Sequence, residues 1–560
     1  MKKRHGLAII ALLSAATLTL GGCSSTNQHE ASSDSAGGVH INLKGDYNPM
    51  ERDQIKDGGE LTLPIYEISE QSNSLHANSV LDTLTLWRWY NPQPVLFDGD
   101  GTWHPNPAYL TNVNAEEVDG KTVVTYDINP DAVFNDDTPI DWRAFETTWK
   151  VSSGENKDFS VSSTDGYELI ESVTAGESDK QAVVTFKQPF AWWQALFNQI
   201  MHPSVSDPQI FNEGYLKNPH PEWGSGPFKV DTFDYNGGTV TFVPNEKWWG
   251  EKPKLDKVTY RQMESQAIIN AFQAGEIDAA SVAAKDNLAV AKQMKDINIL
   301  GALQPSNFLL TLNSKTPALE DIKVRQALFT GVDRETLAQI RFNGLDYKED
   351  LPGSIVLFQN QEGYQDNFSS VVQYDQDKAK QLLDEAGWAE GGDGIREKDG
   401  EKLKLRYVTF GDDQMTKSSV AGLQKMMKDI GVDMQVEERP TSDFSRVLAE
   451  KDFDFIMSGF GSTDPFGMLY FKQDYASDSE LNKSGTGTPE FDEKINELYQ
   501  ISDQTEQIAK ANELEKEAFA QYGIMPYANG PQLTGVKKGL ANFGAYAFAV
   551  VPKENIGWAK

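Results

Sequence analysis

The side chains of this sequence that could carry out covalent chemistry are few and widely separated. Cys23 is the only cysteine in 560 residues, so no disulfide, Cys-based metal site or Cys nucleophile can form in the rest of the chain. The seven histidines lie far apart, and no GxSxG elbow, HExxH pair or GxxxxGK loop is present. With 83 Asp and Glu residues, some pair of carboxyl groups must lie by chance at the distance that separates the two catalytic carboxyl groups of a glycosidase. Such a pair would therefore not be evidence of glycosidase activity. The sequence therefore predicts no enzyme, no cofactor and no metal site.

The position of Cys23 indicates a different chemistry. It ends the run LGGC at 20–23, which resembles the bacterial lipobox, where the cysteine thiol receives a diacylglycerol before cleavage. Basic residues at 2–4 and an uncharged apolar stretch at 6–22 form the parts of a secretory signal, and the stretch is too short to span a bilayer. We expect residues 1–22 to be a signal peptide, and Cys23 to hold the lipid that anchors the protein at the extracytoplasmic face of a bacterial cell membrane.

Length and charge limit the partners. Removal of the first 22 of 560 residues would leave 538, enough for several domains of about 150 residues each. It would also change the formal charge from −32 to −35, because that segment holds three Lys and Arg residues and no acid. A surface this acidic repels nucleic acid and anionic lipid headgroups, so we expect no nucleic-acid partner and membrane association through the lipid alone. An adhesive surface protein would carry repeats or a cell-wall sorting tail, and neither is present.

The rest of the chain mixes helix and strand patterns. Residues 23–56 are rich in Ser, Asn, Asp and Gly and predict a flexible tether, while the first strand signal is ELTLPI at 60–65. KTVVTYDI at 121–128 alternates as a strand, and Asp141 can cap the following helix WRAFETTWK. The apolar run AWWQALFNQIM at 191–201 predicts another helix.

Two later segments predict the sheet type. SQAIINAFQA forms a helical pattern that Gly275 ends, and a strand follows it. Between 403 and 460 strands alternate with helices, in the order LKLRYVTF, KSSVAGLQKMMKDI, VDMQVEE, SDFSRVLAE and DFDFIMSGF. This order predicts a mainly parallel sheet, in which ligands approach the carboxyl ends of strands. Residues just past Met457 are therefore candidates for a binding site.

Seven stretches, in this order, resemble the bacterial extracellular solute-binding proteins of family 5. This family includes the oligopeptide-binding and dipeptide-binding lipoproteins of ABC importers. The stretches are KTVVTYDINPDAVFNDDTPIDWRAFETTWK at 121–150, GSGPFKV at 224–230, VPNEKWWGEKPKLDKVTYRQM at 243–263, FQAGEID at 272–278, DIKVRQALFTGVDRETL at 321–337, YDQDKAKQLLDEAGW at 374–388, and Met525 with Pro526. One departure is Asp137, which stands where the family usually has Gly in a turn. Asp tolerates the left-handed conformation better than most residues, so we expect the turn to be kept.

The resemblance implies an α/β fold of the periplasmic-binding-protein type (class II), a two-lobed clam of three domains with the first one discontinuous. Domain I would comprise residues 57–100, 222–305 and 527–560, domain II the insertion 101–221, and domain III residues 306–526. The ligand would lie between the lobes.

The resemblance also implies an amine-binding loop. In peptide-binding members a loop reading Gly, Trp, two small residues and Asp binds the α-amino group of the ligand, because a buried ammonium needs a carboxylate partner. In the matching loop here Phe460 replaces the Trp and Thr463 replaces the Asp. Asp464 is then either a displaced amine partner or the Asp of the Asp-Pro turn that follows in the family. The candidate loop residues are Gly459, Phe460, Gly461, Ser462, Thr463 and Asp464.

Other walls of the cleft follow from the same resemblance. A loop after the first strand would contribute Asn78, Ser79, Leu81 and Asp82, and the second crossing between lobes would contribute Tyr527 and Asn529. Asp82 could instead cap the next segment, and Tyr527 could be a core aromatic.

The implied function is that of a monomeric, lipid-anchored solute-binding component of an ABC importer, which captures peptides and delivers them to the permease subunits. Because the amine-binding position is altered, a non-peptide solute such as an oligosaccharide, an opine-like compound or a metal chelate is the alternative ligand. An exported, lipid-anchored hydrolase is the alternative from another class.

Overall fold

The computed structural model describes residues 39–560 except 411–413, 440–443, 463 and 480. The predicted signal peptide, the Cys23 lipid site and part of the predicted tether therefore lie outside the described residues, as does Thr463. Within the described ranges no helix is both long and apolar enough to cross a membrane.

Helices and strands alternate along most of the described chain. The helices are α1 (Leu81–Tyr90), α2 (Trp142–Ser152), α3 (Ser265–Ala274), α4 (Lys285–Ala291), α5 (Ile322–Thr330), α6 (Arg334–Arg341), α7 (Asn367–Val371), α8 (Gln376–Glu385), α9 (Gln414–Asp429), α10 (Phe444–Glu450), α11 (Phe471–Tyr475), α12 (Pro489–Leu498) and α13 (Gln504–Phe519). The strands are β1 (Glu60–Ile65), β2 (Val95–Phe97), β3 (Trp103–Pro105), β4 (Leu110–Val118), β5 (Lys121–Ile128), β6 (Ile170–Ala175), β7 (Gln181–Phe186), β8 (Phe228–Asp234), β9 (Thr239–Pro244), β10 (Lys257–Gln262), β11 (Ala279–Ser281), β12 (Ile297–Leu303), β13 (Ser306–Leu312), β14 (Ala389–Glu390), β15 (Arg396–Lys398), β16 (Glu401–Lys402), β17 (Lys404–Phe410), β18 (Asp433–Arg439), β19 (Phe455–Gly461), β20 (Ile524–Ala528), β21 (Pro531–Lys537), β22 (Leu540–Ala541) and β23 (Gly557–Trp558).

Three sheets of three or four strands form most of the first lobe, which also contains the two-stranded pairs β2-β3 and β22-β23. The first has the order β1-β10-β9-β8, with β1 parallel to β10 and the other pairs antiparallel. The second, β11-β21-β12, is antiparallel and includes a strand from near the end of the chain. The third, β4-β5-β7-β6, is antiparallel and lies wholly within the predicted domain II. Helix α1 packs on the first sheet through Trp89, whose ring centroid lies 5.2 Å from that of Phe228.

The second lobe contains a five-stranded sheet with the order β18-β17-β19-β13-β20. Its strands β17, β18 and β19 are parallel to one another, which confirms the α/β order predicted between 403 and 460. The strands β13 and β20 complete the sheet in the antiparallel sense, so the sheet is mixed and the prediction of a mainly parallel sheet holds only for β17, β18 and β19. The chain passes between the lobes twice, from β12 to β13 and from β20 to β21. The exact domain boundaries given above stay a prediction.

The described part of the predicted tether is packed against the first lobe, so the prediction of a flexible tether is wrong for residues 39–56. The amide of Asn42 donates to the carbonyl of Gly301 over 2.9 Å, and Asp46 forms a bridge with Ala545. Ile55 is fully buried. A few apolar side chains and backbone hydrogen bonds to sheet edges are enough to hold this segment, although its composition is polar.

The helix predicted at 191–201 is also wrong, because only Trp193–Ala195 form a 3-10 turn. Phe197 adopts a left-handed φ of +58°, which interrupts any helix. Its ring packs 5.2 Å from Phe145 and 5.7 Å from Tyr126. Packing of the aromatic side chains in the domain core therefore overrides the helical spacing of this run.

Candidate ligand-binding cleft

A cavity of about 360 Å³ lies between the two lobes, and we call it the Arg88 cavity. The first lobe contributes Arg88 from α1 and Asp165 from the loop before β6, and the second lobe contributes Asp464 and Tyr470. Its volume is within the range of small-molecule sites, and it brings charged side chains of both signs to one space.

A second cavity of about 510 Å³ adjoins it, and we call it the Phe460 cavity. The two share Ser162, Ser163, Asp165 and Tyr470, so they form one continuous cleft. The Phe460 cavity adds three residues of the predicted binding loop, Phe460, Gly461 and Ser462.

Asp464 is held by its own loop at the second-lobe wall of the cleft. One carboxylate oxygen accepts a hydrogen bond from the amide of Phe466 at 2.8 Å, and the other accepts one from the Tyr470 hydroxyl at 2.9 Å. Burial raises the pKa of Asp464, while these two donors and the positive charge of Arg88 oppose that rise. A carboxylate can accept about four hydrogen bonds, so Asp464 keeps acceptor capacity for a ligand.

Arg88 faces Asp464 from the first lobe. Its Nε atom is buried and has no hydrogen-bond partner among the described residues. Burial lowers the pKa of Arg88 to about 10, and the charge of Asp464 opposes this shift. The guanidinium is still a cation at neutral pH, since its pKa remains well above 7.

The loop after β19 places its residues in different cavities. Phe460 and Gly461 end the strand, and the amide of Ser462 donates to the carbonyl of Pro305 over 2.9 Å, beside a crossing between the lobes. Ser306 Oγ donates to the carbonyl of Phe460 over 3.3 Å. The carboxyl end of a parallel strand therefore lies at the cleft, as the predicted sheet requires.

A separate cavity of about 240 Å³ lies in the second lobe, and we call it the Arg341 cavity. It contains Gly459 and Tyr527 from the predicted set, together with Phe308 and Arg341. The Arg341 guanidinium lies 3.3 Å from the centroid of the Phe308 ring. Burial raises the pKa of Tyr527, and the charge of Arg341 opposes the rise.

Of the first-lobe residues that the sequence predicted for the site, two line the cleft and two lie outside it. Ser79 and Leu81 line the Arg88 cavity, and Leu81 is 67% exposed there. Asn78 is exposed outside the cleft, and its amide donates to His76 Nδ1 over 3.0 Å. Asp82 accepts hydrogen bonds from the amides of Tyr66 and Glu67 at 3.1 and 2.8 Å, so it holds the turn after β1.

Asn529 lies behind the cleft rather than in its walls. It is 1% exposed, and its side-chain amide donates to the carbonyl of Ser306 and to Asn307 Oδ1 at 2.8 and 2.7 Å. Its own amide donates to Glu349 Oε1 over 2.8 Å. These bonds fix one of the crossings between the lobes.

The sequence reasoning missed Arg88, Asp165 and Tyr470. A signal for Arg88 was available, because it is the only basic residue of the helix LDTLTLWRWY and lies between two tryptophans. Asp165 and Tyr470 lie in loops where no periodicity marks them. Across the described residues, no group of three or more His, Cys, Asp or Glu side chains is placed to hold a metal ion. The cleft offers a ligand charges of both signs, hydroxyls and an aromatic ring.

The chain is similar in sequence and in structure to known binding proteins. The oligopeptide-binding protein OppA of Mycobacterium tuberculosis H37Rv is 33% identical over 551 residues, which cover 97% of this chain and 92% of that protein. The periplasmic EDTA-binding protein EppA has a TM-score of 0.82 at 25% identity, covering 94% of this chain and all of the other.

A further structure shows the fold alone. The oligopeptide-binding protein AppA of Bacillus subtilis, in complex with a nonapeptide, has a TM-score of 0.69 at 20% identity over 90% of this chain and all of the other. By their names, these relatives are binding proteins. The profile of the "Bacterial extracellular solute-binding proteins, family 5 Middle" matches residues 103–481. The chain therefore belongs to the bacterial extracellular solute-binding proteins of family 5.

Proposed function

We propose that this protein is the lipid-anchored, extracytoplasmic binding component of an ABC importer for peptides. It captures a peptide between its lobes as a monomer and delivers it to the permease subunits. The 33% identity with an oligopeptide-binding protein over nearly the whole chain supports the peptide ligand. The lone Cys23 behind an apolar signal supports the lipid anchor.

The observation that carries the peptide proposal is the position of Asp464. Its carboxylate lines the cleft between the lobes, and the described residues use only two of its acceptor sites. The α-amino group of a peptide is an ammonium that needs such a partner once the lobes exclude water. Asp165 lines the same cavity and adds negative charge close to this point. We therefore assign the amine-binding role to Asp464.

Isothermal titration with trialanine and N-acetyl-trialanine tests the assignment. The wild type should bind trialanine, and either N-acetylation or the substitution Asp464→Asn should weaken binding about thirtyfold or more. Asp429→Asn is the matched control, because this carboxylate pairs with Lys425 on the surface of α9, away from the cleft. If both peptides bind equally well to wild type and Asp464→Asn, Asp464 does not bind the amine. Failure of any peptide to bind the folded wild type would contradict the peptide function itself.

One observation favours a second candidate, a metal chelate. The structural similarity to an EDTA-binding protein is high, with a TM-score of 0.82 over 94% of this chain. EDTA lacks a primary amine, so this ligand class would not require Asp464. Titration with EDTA and with its Fe(III) complex distinguishes the two candidates, since a peptide binder should show affinity for trialanine and none for either chelator.

A further inference from the structure

The cleft wall contains a half-buried cation that the described protein residues leave without a hydrogen-bond partner. Arg88 Nε has no hydrogen-bond partner among them. The negative charge that favours its ionised guanidinium comes from Asp464 across the cleft, which makes no direct hydrogen bond to it. Withdrawing a guanidinium from water without pairing it is strongly unfavourable. Arg88 therefore needs a partner that the described residues do not supply.

The position of Arg88 is fixed by its helix. Both neighbours in sequence, Trp87 and Trp89, are nearly fully buried. The Trp89 indole donates to the Tyr260 hydroxyl over 2.9 Å, and its ring packs against Phe228. Since α1 is anchored on both sides of Arg88, the backbone that carries this side chain cannot move away from the cavity wall without disturbing the core of the lobe.

The surrounding charges on the first lobe are unfavourable to Arg88. The ammonium group of Lys553 lies 5.2 Å from the Trp89 ring, and its charge acts against that of Arg88. The pKa of Lys553 is lowered to about 7, mainly by burial and to a smaller extent by the positive charge of Arg88. Asp464 opposes this positive region from across the cavity, but no direct hydrogen bond joins its carboxylate to Arg88 among the described contacts.

We propose that Arg88 binds a carboxylate group of the transported solute. A guanidinium presents a planar fork of donors that matches a carboxylate through two parallel hydrogen bonds. A solute with its cation at Asp464 and its carboxylate at Arg88 neutralises both walls of one cavity of about 360 Å³. The assignment of Asp464 rests on the proposed function, whereas the need for an anion at Arg88 does not, and a polycarboxylate chelator would meet it as well.

Four probes separate these ideas: trialanine, its C-terminal amide, N-acetyl-trialanine and EDTA. Each is titrated against the wild type, Arg88→Gln, Arg88→Lys and the control Arg261→Gln. Arg261 pairs with Glu276 on the surface of the first lobe and does not line any of the three cavities described above. Circular dichroism and the melting temperature establish that each variant is folded, and Arg88→Lys keeps the test valid if the Gln variant is not.

For a peptide ligand, amidation should weaken binding to the wild type about thirtyfold or more. In Arg88→Gln, trialanine and its amide should bind alike. Arg88→Lys should recover part of the discrimination, because it keeps the charge but loses the fork. A merely structural role of Arg88 would lower both affinities and leave the discrimination intact, which would overturn the proposal.

The remaining outcomes distinguish a failure of the inference about Arg88 from a failure of the peptide function. If trialanine and its amide bind equally to the wild type, the inference about Arg88 fails while the peptide function stands. If no peptide binds but EDTA does, and Arg88→Gln abolishes EDTA binding, the inference stands and the peptide function fails. If neither peptides nor EDTA bind the folded wild type, both are wrong.

Discussion

Gln473 in the second lobe donates a hydrogen bond of 2.5 Å to Asp165 Oδ2 in the first lobe, across the cleft. The two residues are 308 positions apart in the sequence. The Ser163 hydroxyl donates to the same oxygen over 2.7 Å, which orients the carboxylate toward the second lobe. Because the bond joins opposite walls of the cleft, it exists only when the lobes are together.

Gln473→Ala should therefore favour the open form. A hydrogen bond to a charged group contributes about 1.5–3 kcal/mol, so the apparent affinity for trialanine should fall about tenfold. Gln435→Ala is the matched control, because this glutamine donates to Asp433 on the exposed strand β18 of the same lobe. Equal affinities of Gln473→Ala and the control would show that the bond does not stabilise closure.

Ligand should make the molecule more compact. Further contacts join the lobes in this structure, including the hydrogen bonds of Gln504 to the carbonyl of Ala191 at 2.6 Å and to Gln194 at 2.7 Å. A ligand that binds both walls stabilises this arrangement by shifting the population toward it. Small-angle scattering should show a smaller radius of gyration with saturating trialanine than without it. An unchanged curve, at concentrations where titration proves binding, would exclude hinge closure.

The lipid anchor can be tested in cells. Cys23→Ala should move the protein from the membrane fraction to the soluble exported fraction, because no other thiol can accept the lipid. Ser32→Ala serves as the control in the same polar segment. The melting temperature and trialanine affinity of the released protein should equal those of the wild type. Retention of the Cys23→Ala variant in the membrane fraction would contradict the lipoprotein assignment.

Local chemistry made several elements predictable from the sequence. Asp137 has a φ of +71°, and Lys247 pairs with its carboxylate at 2.6 Å, so the turn predicted at this position tolerates an Asp. Gly275 has a φ of +76° at the end of α3, as its position after the apolar helical pattern predicts. The strands β17 to β19 follow from strict alternation of strand and helix patterns. In each case the signal lies within a few residues of the feature.

The remaining features depend on distant partners. The run at 191–201 has helical spacing, but Trp192 instead donates its indole N–H to Gln507 of the other lobe. Residues 39–56 are polar in composition, yet they find backbone partners near 301 and 545. In the cleft, Arg88 and Asp165 become neighbours of Asp464 only through the arrangement of the two lobes. No local pattern encodes such pairings.

Asp474 on α11 should make stability depend on pH. The pKa of Asp474 is raised to about 8, mainly by burial and to a smaller extent by the negative charge of Glu515. Glu515 is fully buried and accepts hydrogen bonds from Tyr475 and Asn367 at 2.9 and 2.8 Å. Unfolding exposes Asp474 and returns its pKa to about 4. Between about pH 4 and 8 the folded form therefore binds a proton that the unfolded form releases, so this group's contribution to stability falls as the pH rises.

Asp474→Asn removes that dependence, since the amide resembles the protonated carboxyl group and does not titrate. The melting temperature of Asp474→Asn relative to the wild type should rise from pH 4 to pH 8 and level off above that range. The exposed Asp478 lies four residues further along and provides the control, because Asp478→Asn should give a difference that stays nearly constant over the same range. Thermal melts of the three proteins at intervals between pH 4 and pH 9 measure both trends. A difference for Asp474→Asn that is flat with pH, or that falls, would show that this carboxyl is ionised in the folded protein.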